Sequence, residues 1–332
     1  MHHKIYWNER YVNAKHASDT TRKSKEIVNQ LGIEVTTDPS YATSATRSTI
    51  SIADQAIQDT LHPHYYDALQ TGAPTTLSES SGIKWDYSIW ETALNSTAGV
   101  IYAAADAYRN RRIAGSLSSE LNHANNEHGA GFCTINGLAI AANFLIQNSP
   151  HIKIAILDFD AHCGGGTVTS LRQLGIDTQV EQYDISTSGF DSYRQDNTHT
   201  IRHAETDDIY LNAVQEVLNL LPRNENQIDL VLYNAGTNPY PTISKEALQE
   251  RENMVFYETC RSEIPVAYVL AGGYTSDQTM EELAQTHINT INSADRWSQA
   301  WNSNEQKLLQ ELTSKREAFP PLQTEFLRDM LN

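Results

Sequence analysis

The sequence predicts an α/β fold in which a single, mostly parallel sheet is flanked by helices on both faces. Two observations lead to this prediction. Short apolar runs typical of buried parallel strands alternate with segments of helical length and periodicity. Several of these runs end in polar or glycine-rich sequence, as strands do at the ligand-binding edge of a parallel sheet. No repeat, linker or low-complexity tract divides the 332 residues, so we expect one domain spanning 1–332.

The strands are predicted from their apolar runs. The central run is interrupted only by Lys153, which is typical of a strand buried on both faces. In chain order, the predicted strands are 4–7, 33–36, 113–117, 152–157, 228–233 and 265–271.

The helices are predicted from their apolar faces and their end signals. Gly32 and Gly72 end two of them, because glycine readily adopts the left-handed conformation of a helix C-terminus. Residues 72–86 are expected to form an irregular connection bordering a site, and the tail after Ser293 to be helical and peripheral. In chain order, the predicted helices are 18–31, 64–70, 88–109, 136–147, 207–221, 244–261 and 276–292.

Composition limits the class of partner. A formal net charge of −17 argues against a nucleic-acid surface, which needs clustered Lys and Arg. It suits a basic partner such as a polyamine or a lysine-rich peptide, and a solvated acidic surface without a partner is the alternative.

Three cysteines without framework spacing indicate a reducing compartment. With no signal peptide and no apolar window long enough to span a bilayer, we expect a cytoplasmic protein without a membrane partner. The oligomeric state is not predicted.

The stretch 152–167, IKIAILDFDAHCGGGT, carries the clearest chemical signal. It contains Asp158, Asp160 and His162, and residues at i, i+2 and i+4 of an extended segment point to one side. Three glycines then allow a sharp turn. Two carboxylates and an imidazole within reach of each other can bind a metal ion. For this motif alone, a cluster that only hydrogen-bonds the loop is the alternative.

Other predicted strands lead to polar groups at the same edge of the sheet. An earlier strand precedes Asn122 and His123, a later one precedes Asn238, and the last precedes Tyr274. A metal, a general base and an oxyanion donor in one pocket are the components of a hydrolase. The alternatives are a buried, hydrogen-bonded role for His123 and a loop-closing role for Tyr274.

Two cysteines border these segments. Cys133 and Cys163 are expected to be small buried apolar residues. A nucleophilic cysteine is the alternative, but neither thiol lies at an obvious helix N-terminus beside a base.

The order and spacing of these blocks resemble the zinc-dependent histone deacetylase family, in particular its bacterial branch of acetylpolyamine and deacetylase-like amidohydrolases. The resemblance implies the arginase/deacetylase fold, with one sheet of about eight strands. It also implies metal-dependent hydrolysis of an acyl-amide on a lysine side chain or a polyamine. The blocks that carry it cover nearly the whole chain and read HASDTTRKS, HPHYYDALQTG, GSLSSELNHA, GAGFCTINGLAIAA, ILDFDAHCGGGT, LVLYNAGTNP and VLAGGYT.

The resemblance also implies roles for individual residues. The Zn²⁺ ligands would be Asp160, His162 and Asn238. The family's tandem histidine pair falls on Asn122 and His123, the latter being the general base, and its carbonyl-polarising tyrosine on Tyr274. Asp158 would bind a structural K⁺ or Na⁺ and support Asn122. The walls of the substrate tunnel would be Gly131, Phe132, Phe190, Gly272 and Gly273.

Three positions depart from the family's pattern. Asn238 stands where the family has an aspartate, so the site brings one negative charge to the metal instead of two, and we expect the metal to be weakly held. Asn122 replaces a histidine and cannot carry a proton near neutral pH. Gly165 replaces the Asp or Asn that orients the second histidine, which leaves His123 without a partner unless another group supplies one.

Two other functions compete with an active deacylase. The three substitutions favour a degenerate member of the family, a binding or scaffold protein with a weak or empty metal site. A binuclear ureohydrolase such as arginase shares the Asp-Ala-His block of 160–162. That class needs an aspartate where this chain has Gly164, and a later acidic cluster where 234–238 contains no carboxylate.

Overall fold

The computed structural model describes residues 2–14, 19–31, 36–37, 45–119, 121–221 and 228–303. Within these residues the strands are β1 Lys4–Trp7, β2 Thr36–Thr37, β3 Ile113–Ser116, β4 Ile154–Asp158, β5 Val180–Ser186, β6 His199–His203, β7 Leu230–Asn234 and β8 Val266–Val269. They form a single eight-stranded sheet in the order β2-β1-β3-β8-β7-β4-β5-β6. Every pairing is parallel. This confirms the predicted fold class.

The described helices lie on both faces of the sheet. They are α1 Asp19–Leu31, α2 Ala45–Gln58, α3 Pro63–Thr71, α4 Thr75–Ser78, α5 Tyr87–Asn110, α6 Gly137–Asn148, α7 Gly165–Leu174, α8 Asp207–Leu218, α9 Lys245–Arg261 and α10 Met280–Ser303, with a 3₁₀ turn at Glu9–Val12. Alternation along β4 divides the core. Ile154 and Ile156 pack into one apolar layer, and Ala155 and Leu157 into the other. None of the described helices is long and apolar enough to cross a membrane.

Several elements were missed by the sequence analysis for physical reasons. β5 contains the buried polar residues Gln182 and Asp184, which interrupt its apolar run. β6 lies at the edge of the sheet and is largely polar. The helix α7 begins inside the glycine-rich stretch at Gly165, where the sequence predicts a turn. α2 was also missed, and α4 lies within the connection predicted to be irregular at 72–86.

Two predicted elements fall partly outside the described residues. Of the strand predicted at 33–36, residues 33–35 lie outside them, and the strand is seen at Thr36–Thr37. The tail is helical to Ser303 but not peripheral there, because Trp297 is buried in the core and packs against Tyr257. The rest of the tail, 304–332, lies outside the described residues.

A buried arginine joins the ends of two central strands. Arg251 donates hydrogen bonds to the backbone carbonyls of Phe159, at 3.0 Å, and Gly236, at 2.6 Å. Its charge is paired with Glu252, which also accepts a hydrogen bond from Tyr233. A buried guanidinium that is fully bonded in this way holds the segments following β4 and β7 in one register.

Candidate active site

A pocket of about 350 Å³ opens at the carboxyl ends of β3, β4, β7 and β8. This is the edge at which parallel sheets bind ligands. Nearly all of the predicted site residues line it. The lining residues are Asn122, His123, Gly131, Phe132, Cys133, Asp160, His162, Phe190, Asn238, Ala271, Gly272 and Tyr274.

Three lining side chains can share a metal ion. His123, Asp160 and His162 each offer a ligand atom, and these atoms lie within 4.8 Å of one another. Asp160 is buried, and its Oδ2 has no hydrogen-bond partner. A buried carboxylate oxygen without a donor is costly unless a cation faces it. The residues therefore fit a metal ion.

Two of these three side chains, Asp160 and His162, also interact directly. Nδ1 of His162 lies 3.1 Å from Oδ1 of Asp160. The hydrogen bond that the imidazole donates to this carboxylate raises the pKa of His162 above its ordinary value. Burial acts to raise the pKa of Asp160, but the hydrogen bond and charge of His162 outweigh it and lower that pKa. Asp160 is therefore ionised, as a metal ligand must be.

Asn238 lies beside this pair, with a defined amide orientation. Its Oδ1 accepts a hydrogen bond from the backbone N–H of Gly273 at 2.5 Å, and its Nδ2 donates to Oδ1 of Asp160 at 3.3 Å. Because a backbone N–H can only donate, the amide oxygen has to face Gly273. The group turned towards Asp160 is then an NH₂. An aspartate would instead accept from Gly273 and still present an oxygen to the metal. The ligand role of Asn238 remains a prediction.

Beneath the pocket, Asn122 contacts a buried carboxylate as the resemblance implies. Its Nδ2 donates to Oδ2 of Asp158 at 2.9 Å, and Asn234 donates to the other oxygen at 2.8 Å. Burial, and next the charge of Asp184, raise the pKa of Asp158. The predicted cation-binding role of Asp158 remains a prediction.

His123 has a carboxylate partner, but from an unexpected residue. Its Nδ1 lies 2.9 Å from Oδ2 of Asp191. The resemblance places the usual partner at Gly165, so the sequence predicts no partner for His123 unless another group supplies one. Asp191 does so from the connection between β5 and β6. Its only sequence signal was its place beside Phe190.

Aromatic rings form the rim of the pocket. Phe132 and Phe190 are 48% and 51% exposed, which is unusual for large apolar side chains and places them at the mouth. Phe190 packs edge-on against both His123 and His162, with ring centroids 5.3 and 5.5 Å apart. Tyr274, 37% exposed, lines the same pocket.

Gly131 and Gly272 let the chain approach the catalytic groups. Both have positive φ, 52° and 63°. A Cβ on Gly131 would lie 2.7 Å from the ring of His123, and one on Gly272 would lie 2.5 Å from the amide of Asn238. No side chain larger than hydrogen fits at either position.

A buried lysine was missed by the sequence analysis. Lys23 on α1 donates hydrogen bonds to the carbonyl of Gly272 at 2.6 Å and to Ser119 at 2.9 Å. The buried His287 contacts the same carbonyl of Gly272 and the hydroxyl of Thr237, and burial, then the charge of Lys23, lower its pKa. The helical sequence around Lys23 contains no signal for burial of a charge.

The cysteines behave as predicted for small buried residues. Cys133, Cys163 and Cys260 are all buried and free. Burial raises the pKa of Cys163 to about 11 and that of Cys260 to about 12, so both are thiols rather than nucleophilic thiolates near neutral pH.

Comparisons with known proteins agree with this fold. The family model of the histone deacetylase domain matches residues 10–291. An uncharacterized protein of Picosynechococcus is 27% identical over 238 residues, which are 68% of this chain and 78% of that protein. Histone deacetylase 2 of Arabidopsis thaliana is 30% identical over 190 residues, which are 53% of this chain and 48% of that protein. The crystal structure of the HDA15 HD domain has a TM-score of 0.67 at 17% identity and covers 88% of this chain and 89% of that one, a likeness of fold.

Proposed function

This chain belongs to the histone deacetylase domain family, and on that premise we propose that it hydrolyses the amide bond of an acylated lysine side chain or polyamine with a bound metal ion. One observation carries the proposal. A general base, His123, and an oxyanion donor, Tyr274, line the same pocket as the Asp160–His162 pair. These are the groups that amide hydrolysis requires.

Asp160 and His162 would hold the metal, which in this family is usually Zn²⁺. A bound Zn²⁺ supplies a Lewis acid that polarises the amide carbonyl and lowers the pKa of a water. The buried Oδ2 of Asp160, which has no hydrogen-bond partner, supports this assignment. Asn238 contributes a neutral group, so we expect the ion to be held weakly.

The chain's own residues would carry out the proton transfers. His123 would take a proton from the attacking water and deliver it to the leaving amine. Tyr274 would donate a hydrogen bond to the oxyanion that develops on the carbonyl, an effect typically worth about 3 kcal/mol. Asn122 cannot share the proton with His123, so a single imidazole has to serve both steps.

The rim and the charge of the protein favour a slim, cationic substrate. Phe132 and Phe190, both exposed in the lining of the pocket, offer apolar surface to an aliphatic chain. A formal net charge of −17 attracts polyamines and lysine-rich peptides over anionic substrates. We also propose a cytoplasmic location, consistent with three free cysteines.

A binding or scaffold role is the second candidate. It is favoured by the orientation of Asn238, whose oxygen is engaged by Gly273. In this case the protein would bind an acylated cation without hydrolysing it.

A deacylation assay separates the two functions. It compares the native chain, the double variant Asn122→His with Asn238→Asp, and His123→Ala, each with and without added zinc. The matched control is Asn212→Asp, which adds the same charge on an exposed face of α8. We expect slow, zinc-dependent release of acetate from acetyl-lysine or acetylpolyamine by the native chain. The double variant should be faster by more than about tenfold, because each lost catalytic interaction typically costs at least about 1.4 kcal/mol.

Two outcomes would contradict the proposal. If neither the native chain nor the double variant hydrolyses acetyl or longer acyl substrates, the binding role replaces the enzyme. If the native chain is fast and His123→Ala does not slow it, His123 is not the base.

A further inference from the structure

We infer that Asp191 is the positioning residue for His123: it holds the proton on Nδ1, so that Nε2 faces the pocket as a free base. The inference deepens the proposed function and rests on it for its catalytic meaning. It concerns a residue for which neither the family's motif nor the sequence of the site predicts a role.

The hydrogen bonds around the carboxylate determine which group donates. Oδ2 of Asp191 lies 2.9 Å from Nδ1 of His123 and accepts a second hydrogen bond, at 3.1 Å, from the backbone N–H of Gly166. An ionised carboxylate has no proton to give, so Nδ1 has to be the donor. The lone pair of the neutral ring is then on Nε2. Two donors on one oxygen also fix the carboxylate against rotation.

Gly165 and Asp191 are mutually dependent. A Cβ on residue 165 would lie 2.3 Å from the backbone oxygen of Asp191 and 2.5 Å from its Oδ1. No side chain at position 165 can therefore coexist with the present position of Asp191. The backbone and carboxylate of Asp191 occupy the space that a side chain at position 165 would fill.

The connection that carries Asp191 is itself anchored at the site. The backbone carbonyl of Phe190 accepts a hydrogen bond from the N–H of Cys163 at 3.0 Å. Asp191 has φ 58°, a left-handed conformation that aspartate tolerates better than most residues. Phe190 and Asp191 both touch His123, so adjacent residues of one connection form part of the rim and orient the base.

The experiment reads the tautomer of His123 directly. Metal-free protein labelled with ¹⁵N-histidine is compared by NMR for the native chain, Asp191→Gly, Asp191→Asn and Gly165→Ala. Glycine is used because it accepts the backbone conformation at position 191 without strain. Gly189→Ala is the matched glycine control, because nothing lies within 4 Å of its Cβ, and Asp196→Asn is the matched carboxylate control on the same connection.

We expect His123 to carry its proton on Nδ1 in the native protein, in both controls and in Asp191→Asn, whose amide oxygen can still accept. Asp191→Gly should lose this preference by removing the acceptor, and Gly165→Ala by displacing it. In the zinc-loaded enzyme, these two variants should lower kcat by about 10-fold to 100-fold with KM nearly unchanged, as is typical for residues that orient a catalytic group.

The tautomer of His123 is measured by NMR whether or not the protein hydrolyses any substrate. A native His123 protonated on Nε2, or an unchanged tautomer in Asp191→Gly, would overturn the inference. If no variant hydrolyses any substrate while the tautomer still depends on Asp191 and Gly165, the positioning role is supported and the proposed reaction is not.

Discussion

The two sides of the pocket each lack a group that the resemblance to the family implies, and the structural outcomes are opposite. On the base side, formed by Asn122, His123 and Asp191, Gly165 has no side chain, and Asp191 supplies a carboxylate whose Oδ2 lies 2.9 Å from Nδ1 of His123. On the metal side, formed by Asp160, His162 and Asn238, no described carboxylate replaces the one missing at position 238, where an amide is bonded to Gly273. The effect of a substitution in a motif can therefore be interpreted only when the groups packed around that position are known.

The largest effect is expected on the metal side. Asn238→Asp should raise zinc affinity by at least about 100-fold, because it adds a charged oxygen at the ion, and residues that merely support a ligand already change affinity by 10–100-fold. Isothermal titration with zinc measures this, with Asn212→Asp as the charge-matched control. Tight, chelator-resistant zinc in the native protein would show that the missing charge matters little.

The reverse effect is expected on the base side, where introducing an aspartate that the resemblance would allow at position 165 should lower both activity and stability. Gly165→Asp should slow deacylation by about tenfold and destabilise the fold by about 1–3 kcal/mol, because the new side chain collides with Asp191. The rate and the urea midpoint are measured beside Gly189→Asp, which points into open space. If Gly165→Asp raises the rate, the two sides do not differ as described.

The smallest effect concerns Asp196, which lies on the same connection as Asp191 but outside the pocket. Burial acts to raise the pKa of Asp196, but hydrogen bonds from Thr198 and Arg172 outweigh it and lower that pKa well below its ordinary value. A lowered folded-state pKa means that this contribution to stability is complete above about pH 4, the unfolded value, and is lost as pH falls through the folded one. Asp196→Asn should therefore lower the melting temperature slightly at pH 6, and its difference from the native chain should shrink progressively as the pH falls below about 3. Equal differences at both pH values would contradict this.

The metal side was largely predictable from sequence, and the base side was not. Asp160 and His162 follow one apolar strand at a spacing of two, so local geometry alone places them together. Asp191 reaches His123 across 68 residues, from a connection between β5 and β6. β5 escaped prediction because the buried Gln182 and Asp184 interrupt its apolar run, and β6 because it is a largely polar edge strand. Lys23 was missed for a related reason, since a buried ammonium is identifiable only from the carbonyls that surround it.

The buried guanidinium of Arg251 links the metal side to the cooperativity of folding. This guanidinium bonds the carbonyls of Phe159 and Gly236, next to Asp160 and close before Asn238, so opening either segment would leave a buried N–H donor without its acceptor. We therefore expect the backbone beside Asp160 and Asn238 to move only when this buried network opens. The connection bearing Asp191 is also tied to the sheet, because Tyr193 donates a hydrogen bond to the buried Asp184 at 2.6 Å and the carbonyl of Phe190 accepts one from Cys163 at 3.0 Å. In energy-landscape terms, we expect both sides of the pocket to open in sub-global events that break bonds to buried groups, rather than by fraying of exposed loops.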